Sequence, residues 1–215
     1  MKKHFYITTP IYYVNDKPHI GHAYTTILAD VLSRYYRQLN VETFFLTGLD
    51  EHGQKVQEAA KKLGVNPKKH CDTIAPRFND LWEKLHISND DFIRTTEERH
   101  KKVVKKILQI VMDKGDIYED EYEGLYSVSE ERFITEKEAE SGNFRNIKKL
   151  KEKNYFFRMS KYQKKLIEHI HSNPKFIQPD YRRNEILGFL KNPLNDLCIS
   201  RPKSRLSWGV ELPFD

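Results

Sequence analysis

The chain of 215 residues is long enough for one large domain or two small ones, and it should bury about 70% of its unfolded surface. Its 38% hydrophobic and 32% charged residues, with nine glycines and nine prolines, exclude a disordered, collagen-like or membrane protein. The net charge of +6 at pH 7 permits binding to a polyanion such as nucleic acid without establishing it.

The chain holds two cysteines, Cys71 and Cys198. They are too few for a disulfide framework or an all-thiolate zinc site, and they fit a reducing compartment. Polar residues interrupt the apolar stretch that follows Lys2 and Lys3, so we expect no signal peptide and no membrane span. The sequence therefore predicts a soluble, cytoplasmic protein without a membrane partner.

The amino-terminal part of the chain predicts a strand, a loop, a helix and a second strand. His4–Thr8 and Thr43–Thr47 are short runs of aromatic and β-branched residues, typical of buried strands. Between them, apolar residues recur at steps of three and four from His19 to near Asn40, which predicts a helix. A strand, helix and strand in this order form a right-handed crossover and a parallel sheet. The predicted fold class is therefore α/β.

The next segments continue this pattern and then change character. Two helices, a third strand and a long helix are predicted over Gln54–Leu63, Pro67–Leu85, Asp91–Thr95 and Glu97–Lys114. Residues 116–158 carry short alternating runs among charges, which indicates a small β-rich insertion. Its lysine-rich run Lys148–Lys153 is interpreted as a solvated face. Helices resume at Lys161–His171 and Arg183–Leu190.

The most informative feature is the tetrad His19-Ile20-Gly21-His22 at the start of the first predicted helix. Backbone N–H groups at a helix N-terminus lie unpaired, and the helix dipole adds positive charge there, which suits a phosphate. Two imidazoles three residues apart share one helix face, and Gly21 permits close approach by a base or ribose. The tetrad therefore predicts a phosphate site at the carboxyl end of the first strand. Two surface histidines at a helix start are the alternative.

A second polar segment, Gly48–Gly53, follows the second predicted strand and opens onto the same edge of the sheet. Asp50 within it can hold an ammonium group or a ribose hydroxyl. A turn stabilised by a polar side chain is the structural alternative. A metal site that joins His19, His22, Asp50 and His52 is a further alternative, because these residue types are ordinary zinc or iron ligands.

Four motifs in a fixed order extend these features along the chain. They are Thr8–Asn15 leading into the tetrad, Thr47–Gly53, Asn154–Arg158 and Arg182–Glu185. On these motifs the chain resembles the methionyl-tRNA synthetases, a family of class I aminoacyl-tRNA synthetases, from Tyr6 to Phe214. The resemblance implies the first half of a Rossmann-like catalytic domain with a parallel sheet, interrupted by a small α+β insertion, the connective peptide.

For the ATP site, the resemblance implies roles for the residues that match the family's motif. His19 and His22 steady the phosphates as the catalytic residues. Gly21 makes room for the nucleotide, and Asn15 lies on the approach to it. Mg²⁺ enters with ATP rather than through a protein cage. Neither adenylate formation nor transfer to tRNA needs an enzyme nucleophile, so catalysis rests on positioning and charge stabilisation.

For the amino acid, the resemblance implies that Ile11 and Tyr13 form walls of the methionine pocket and that Asp50 receives the methionine ammonium. The implied partner is tRNA(Met), whose acceptor end lies under the connective peptide in the family. A pocket separates methionine from shorter apolar amino acids by only about 1 to 3 kcal/mol per methylene, so closure of the site has to add to it. The oligomeric state does not follow from the sequence.

The resemblance also divides the chain into residues 1–115 as half of the catalytic domain, 116–197 as the insertion and 198–215 as the return to the catalytic fold. Many family members carry zinc knuckles with Cys-x-x-Cys pairs in the insertion. Here Ser127-Val128-Ser129-Glu130 stands at the matching stretch, so we expect no protein-bound zinc. The insertion should then fold by apolar packing of Tyr126, Val128, Phe133, Ile147 and Leu150.

The predicted function is ATP-dependent activation of methionine and its transfer to tRNA(Met) in translation. Because the family's second catalytic half and its lysine-bearing loop find no match, the chain is expected to be an amino-terminal portion, inactive alone. A non-catalytic nucleotide- or tRNA-binding fragment is one alternative. Another nucleotidyltransferase with a His-x-Gly-His phosphate site is the other, and the motifs Asn154–Arg158 and Arg182–Glu185 argue against it.

Overall fold

The computed structural model describes residues 4–14, 16–127, 132–144 and 146–214. The chain forms two compact units, one of Met1–Leu108 with Leu206–Asp215 and the other of Gln109–Arg205. Within the described residues, no helix combines the length and the apolar character that a membrane crossing requires.

The first unit is built on a four-stranded parallel sheet. Its central strand β3 (Glu42–Asp50) pairs along one side with β1 (His4–Thr8) and then β2 (Tyr12–Tyr13). The fourth strand β4 (Asp91–Arg94) pairs with the other side of β3. This arrangement confirms the α/β fold and the parallel crossover predicted from the sequence.

Four helices connect and follow these strands, and each lies within two residues of its predicted position. They are α1 (Ile20–Gln38), α2 (Gln54–Lys62), α3 (Pro67–Lys84) and α4 (Glu98–Asp113). Asn66 caps α3 by accepting the N–H of Lys69 at 2.7 Å. The core lies where α2 and α3 pack on β2 and β3, and its buried residues are Tyr12, Val14, Leu49, Val56, Cys71, Ile74, Ala75, Phe78 and Trp82.

Helix α1 turns its polar side toward the protein. Its buried residues are Thr26, Ala29, Asp30 and Ser33. The apolar residues whose spacing predicts the helix are exposed: Ile20, Tyr24, Ile27, Leu28, Val31 and Tyr35. Asp30 accepts the backbone N–H of Ser88 at 2.7 Å, and the Thr26 hydroxyl bonds that of Tyr12 at 2.8 Å. Hydrogen bonds therefore hold this helix side in place, so the periodicity predicts the helix but not the face that is buried.

The strand β1 is half exposed, so the expectation that it is buried is wrong. Phe5 stacks on Tyr36 of α1 with ring centroids 3.7 Å apart. On the opposite face Tyr6 is 61% exposed beside Phe44. A helix covers only one face of the strand at this point in the described structure. The second strand predicted to be buried, Thr43–Thr47, is only partly so: Phe45 and Thr47 are buried, whereas Phe44 is 46% exposed.

The second unit contains an antiparallel sheet in the order β6-β5-β7-β8. Its strands are β5 (Ile117–Ser127), β6 (Arg132–Ile134), β7 (Ile147–Phe157) and β8 (Leu197–Cys198). β5 and β7 pair along their whole length, so the predicted short runs are two long strands. On one exposed face, Lys149 pairs with Glu123 at 2.8 Å and Lys153 with Glu119 at 2.7 Å. These pairs support the interpretation of the lysine-rich run as a solvated face.

Helical segments complete the second unit: α5 (Glu136–Glu140), a 3₁₀ turn (Met159–Tyr162), α6 (Gln163–Ser172) and α7 (Asp180–Phe189). The interior includes an ion pair as well as apolar side chains. Arg205 lies 4.3 Å above the ring of buried Tyr126 and bonds Glu152 at 2.7 Å. Two residues of the predicted packing set, Val128 and the side chain of Phe133, lie outside the described residues.

Candidate functional site

The carboxyl ends of the parallel strands meet at one edge of the sheet, where ligands bind in folds of this kind. β1 ends at Thr8, β3 at Asp50 and β4 at Arg94. The first two sequence motifs lie at these strand ends: Thr8–Asn15 begins at the last residue of β1 and includes β2, and Thr47–Gly53 spans the end of β3. The sequence predicted that Asp50 lies in the loop after the second strand. In the structure it is the last residue of β3.

The two histidines of the tetrad form a stacked pair at the start of α1. His19 is the N-cap, and its Nδ1 accepts the Gly21 N–H at 3.1 Å. The Nδ1 of His22 accepts the His19 N–H at 3.2 Å, and the two rings stack with centroids 3.7 Å apart. A neutral ring that accepts at Nδ1 carries its proton on Nε2. Both imidazoles therefore keep an Nε2–H donor that the helix cap does not use.

The hydrogen bonds at the start of α1 change which groups can donate to a phosphate. The sequence predicted backbone N–H groups there. The Gly21 N–H is bonded to the ring of His19 and is not free for a ligand. A Cβ at Gly21 would lie 2.9 Å from Cε1 of His19, so the missing side chain makes room for the imidazole. The donors that this helix start offers are thus chiefly the two Nε2–H groups, and a role for Gly21 toward a nucleotide stays a prediction.

The environment of His22 keeps its ring neutral. Burial lowers the pKa of His22, and the adjacent His19 lowers it further. The ring centroid lies 4.6 Å from that of Tyr12 and 5.5 Å from that of Phe78. A neutral His22 near pH 7 fits a hydrogen-bond donor at Nε2 rather than a fixed positive charge.

Tyr12 connects the histidine pair to the end of β3, and sequence reasoning assigned it no role. Its hydroxyl bonds Thr26 of α1, and its ring packs against His22. The next residue, Tyr13, lies opposite Asp50 in the parallel register of β2 and β3. No sequence pattern marks Tyr12, because its neighbours Ile11 and Tyr13 are also apolar or aromatic, and its burial appears only in the folded structure.

The residues predicted to bind the amino acid lie at this same edge. Asp50 is partly buried, whereas Ile11 and Tyr13 are 40% and 55% exposed. Lys55 Nζ stands 5.8 Å from the centroid of the Tyr13 ring. The structure thus brings Tyr13 and Asp50 together. Asn15, the residue predicted on the approach to the nucleotide, lies outside the described residues.

The residue after Asp50, Glu51, forms a buried ion pair with Arg94. The carboxylate of Glu51 is fully buried, and its Oε1 lies 2.5 Å from Nε of Arg94. Arg94 also bonds Asp72 through Nη2 at 2.6 Å. Hydrogen bonds from Lys68 and Arg94 outweigh burial and keep the pKa of Asp72 below its usual value. The sequence signal was the position of Arg94 at the end of a predicted strand, on the same sheet edge.

The metal alternative finds no support in this geometry. Among the described residues, which include His19, His22, Asp50 and His52, no group of three or more potential ligand side chains is placed to hold a metal ion. The stacked rings of His19 and His22 also use Nδ1 within the helix cap, as described above.

His52 is held in its neutral form by its surroundings. Burial lowers its pKa to about 4, helped by the nearby His100 and Lys101. Its ring centroid lies 5.3 Å from that of Trp208. Folding therefore disfavours the protonated ring, so this residue makes stability depend on pH.

Lowering the pH from about 7 to 5 should cost the fold about 1 to 2 kcal/mol through His52. The unfolded imidazole binds a proton near pH 6.5, but the folded one does so only near pH 4, so stability falls across that window. Urea unfolding followed by tryptophan fluorescence reports the first unit, which holds both Trp82 and Trp208. His52→Gln should flatten this pH dependence; an unchanged dependence in the variant would contradict the assignment.

Comparison with known proteins places the chain in a family. The family model for class I tRNA synthetases of the (M) type matches residues 5–149 and 139–215, nearly the whole sequence. The chain belongs to the class I methionyl-tRNA synthetase family. The first motif-based expectation, the resemblance itself, is confirmed.

Curated relatives share high identity with the chain over about a third of their own length. The methionine–tRNA ligase of Fusobacterium nucleatum is 52% identical over 219 residues, which cover 100% of this chain and 34% of the relative. The methionine–tRNA ligase of Listeria monocytogenes is 48% identical over 229 residues, which cover 99% of this chain and 34% of the relative. The chain therefore corresponds to one segment of these synthetases.

Solved synthetase structures share the fold. The Mycobacterium tuberculosis methionyl-tRNA synthetase bound by methionyl-adenylate has a TM-score of 0.92 and 42% identity, covering 98% of this chain and 43% of that one. The apo form of the same synthetase has a TM-score of 0.78 and 37% identity. The match covers 99% of this chain and 42% of that one.

Proposed function

We propose that this protein is a methionine–tRNA ligase, which activates methionine with ATP and transfers the methionyl group to tRNA(Met) in translation. The observation that carries the proposal is the placement of the histidine pair and Asp50 at one sheet edge. They lie in a fold with a TM-score of 0.92 to a synthetase that binds methionyl-adenylate. This edge would hold the reacting ends of ATP and methionine side by side.

The proposed first step needs no nucleophile from the protein. The methionine carboxylate attacks the α-phosphorus of ATP, the bond to the β-phosphate oxygen breaks, and pyrophosphate leaves. Negative charge grows on the phosphate oxygens in the transition state, so positioned N–H donors lower the barrier. The Nε2–H groups of His19 and His22 are suited to this task because the cap bonds hold both rings in place.

For methionine, we propose that the Asp50 carboxylate pairs with the substrate ammonium and that Ile11 and Tyr13 form walls of the pocket. A carboxylate at the end of a buried strand is a rigid partner for a cation, which favours orientation of the adjacent substrate carboxylate. In the second step a terminal ribose hydroxyl of tRNA would attack the methionyl carbonyl carbon of the adenylate and lose its proton; an ester bond forms, the anhydride bond to the phosphate breaks, and AMP leaves. We place this chemistry in the cytoplasm; both cysteines are free thiols, as a reducing compartment permits.

The experiment that tests the proposal is ATP–pyrophosphate exchange by the protein as its gene encodes it. Exchange should depend on methionine and proceed much more slowly with leucine or valine, whose side chains fit the pocket less well. Mg²⁺ is supplied with ATP as part of the substrate. Exchange that is equally fast without an amino acid, or driven best by another amino acid, would overturn the proposal.

We further propose that the insertion holds no zinc. Cys71 and Cys198 are the only thiols, and burial raises the pKa of Cys71 to about 12, so this thiol keeps its proton. One remaining thiol cannot supply the soft ligand set of a structural zinc site. Elemental analysis of purified protein should give far less than one zinc per chain; a value near one would refute this.

A further inference from the structure

The residue that follows Asp50 is anchored through all of its polar groups. The Glu51 N–H donates to the Thr95 hydroxyl at 2.9 Å. Its buried carboxylate pairs with Arg94 and accepts the hydroxyl of Thr96. These partners come from the segment at the end of β4, so the chain leaving β3 is tied to the neighbouring strand.

The third anchor comes from far along the sequence. Trp208 donates its Nε1–H to the Glu51 carbonyl oxygen at 2.5 Å, while its indole ring packs against the core of the first unit. Beside it, the Ser207 N–H donates to the Gln57 side-chain oxygen at 3.1 Å. The segment that begins at Leu206 therefore contacts the rest of the first unit at the Glu51–His52 peptide, one residue beyond Asp50.

Beyond Glu51 the chain turns at Gly53 and enters α2. Gly53 has a φ of 115°, a backbone conformation that side chains disfavour, and it caps α2 without a side-chain hydrogen bond. The contacts on Glu51 contribute to the direction in which the chain leaves β3. The Glu51 N–H belongs to the peptide that joins Glu51 to Asp50, and the Glu51 carbonyl belongs to the next peptide. The bonds from Thr95 and Trp208 therefore hold the two peptides that follow Asp50.

We propose that Trp208 is a positioning residue for the amino-acid site: by holding the Glu51 carbonyl it orients the Asp50 carboxylate toward the methionine ammonium. This inference rests on the proposed function. A charge-assisted pair depends on direction and distance, so a shift of the carboxylate weakens it. Loss of the single indole N–H bond should weaken methionine binding by about five- to tenfold.

The test variant is Trp208→Phe, which retains an aromatic ring and deletes the N–H donor. Trp82→Phe is a matched control, because Trp82 lies in the same core and its Nε1 makes no hydrogen bond within the described residues. Calorimetric titration should show weaker methionine binding only in Trp208→Phe. ATP binding should stay unchanged in both variants, and their melting temperatures should fall by similar amounts.

A cycle of mutants separates positioning from a general loss of structure. In an Asp50→Asn background, Trp208→Phe should have no further effect on methionine affinity, because the group through which it acts is gone. Likewise, 4-(methylthio)butanoate, which lacks the ammonium, should bind the wild type and Trp208→Phe equally. Thr95→Val, which removes the partner of the Glu51 N–H and leaves the donors to the Glu51 carbonyl, should reproduce the pattern of Trp208→Phe if the tryptophan variant folds poorly.

Two contrary results are distinguishable. Unchanged methionine affinity in Asp50→Asn would overturn the ammonium role of Asp50 and the inference that depends on it. Weaker binding in Asp50→Asn, combined with an additive effect of Trp208→Phe or an equal loss for the analogue, would overturn the positioning role alone. Equal losses of methionine affinity in Trp208→Phe and Trp82→Phe would also overturn it.

Discussion

Replacing Asp50 with alanine should weaken methionine binding by about 30-fold or more. The carboxylate sits at the end of a buried strand, opposite Tyr13 and next to the anchored Glu51. Removing one partner of a charge-assisted pair in a partly desolvated cleft leaves the other charge without compensation, which typically costs about 2 to 5 kcal/mol. ATP binding should change much less, because we assign the phosphates to the histidine pair.

Calorimetric titration with methionine and with ATP, alongside a thermal melt, measures this effect. Asp80→Asn offers a control, since Asp80 is an exposed carboxylate on α3. The structural alternative is that Asp50 only stabilises the turn before Gly53. In that case Asp50→Ala would lose about 1 kcal/mol of stability and keep its methionine affinity.

Replacing His19 or His22 with alanine should lower the rate of adenylate formation by about 100-fold and leave methionine affinity nearly unchanged. Their Nε2–H groups are expected to act on charge that develops in the transition state. The structure adds that His19 also caps α1, so His19→Ala should cost about 1 kcal/mol of stability as well. The two effects are separable because one is kinetic and the other is measured by unfolding.

Single-turnover formation of methionyl-adenylate, with both substrates saturating, is the appropriate measurement. His4→Ala provides a control, because His4 is an exposed residue at the opposite end of β1. A change confined to methionine affinity, with an unaltered single-turnover rate, would show that the histidines do not act on the phosphates.

The sequence predicts three of the four parallel strands and the four helices of the first unit because local patterns specify them, whereas the two-residue strand β2 lies where a loop is predicted. Asn66 and Pro67 begin α3, and the β-branched and aromatic runs form β1 and β3. What it does not predict is which surface of α1 is buried. That surface depends on hydrogen bonds such as the one from the backbone of Ser88 to Asp30, and these join residues far apart in sequence.

The candidate site also combines residues that the sequence predicts with contacts that it does not predict. The sequence singles out His19, His22 and Asp50 because they lie near the carboxyl ends of predicted strands; in the structure the two histidines begin the helix after β2, and Asp50 is the last residue of β3. The contacts that support them join residues far apart in sequence. The Tyr12 hydroxyl bonds that of Thr26 on α1, and the Trp208 indole N–H donates to the Glu51 carbonyl oxygen. Pattern and spacing carry no signal for such contacts, so they appear only in the folded structure.

The most direct test of the account is binding of a non-hydrolysable methionyl-adenylate analogue, a sulfamoyl ester, to the protein as its gene encodes it. The analogue should bind much more tightly than methionine or AMP alone, because we assign both halves to one edge of the sheet. Asp50→Ala and His22→Ala should each weaken it, whereas methionine responds chiefly to Asp50→Ala and ATP chiefly to His22→Ala. An analogue that binds no better than methionine, or is insensitive to both substitutions, would contradict the account.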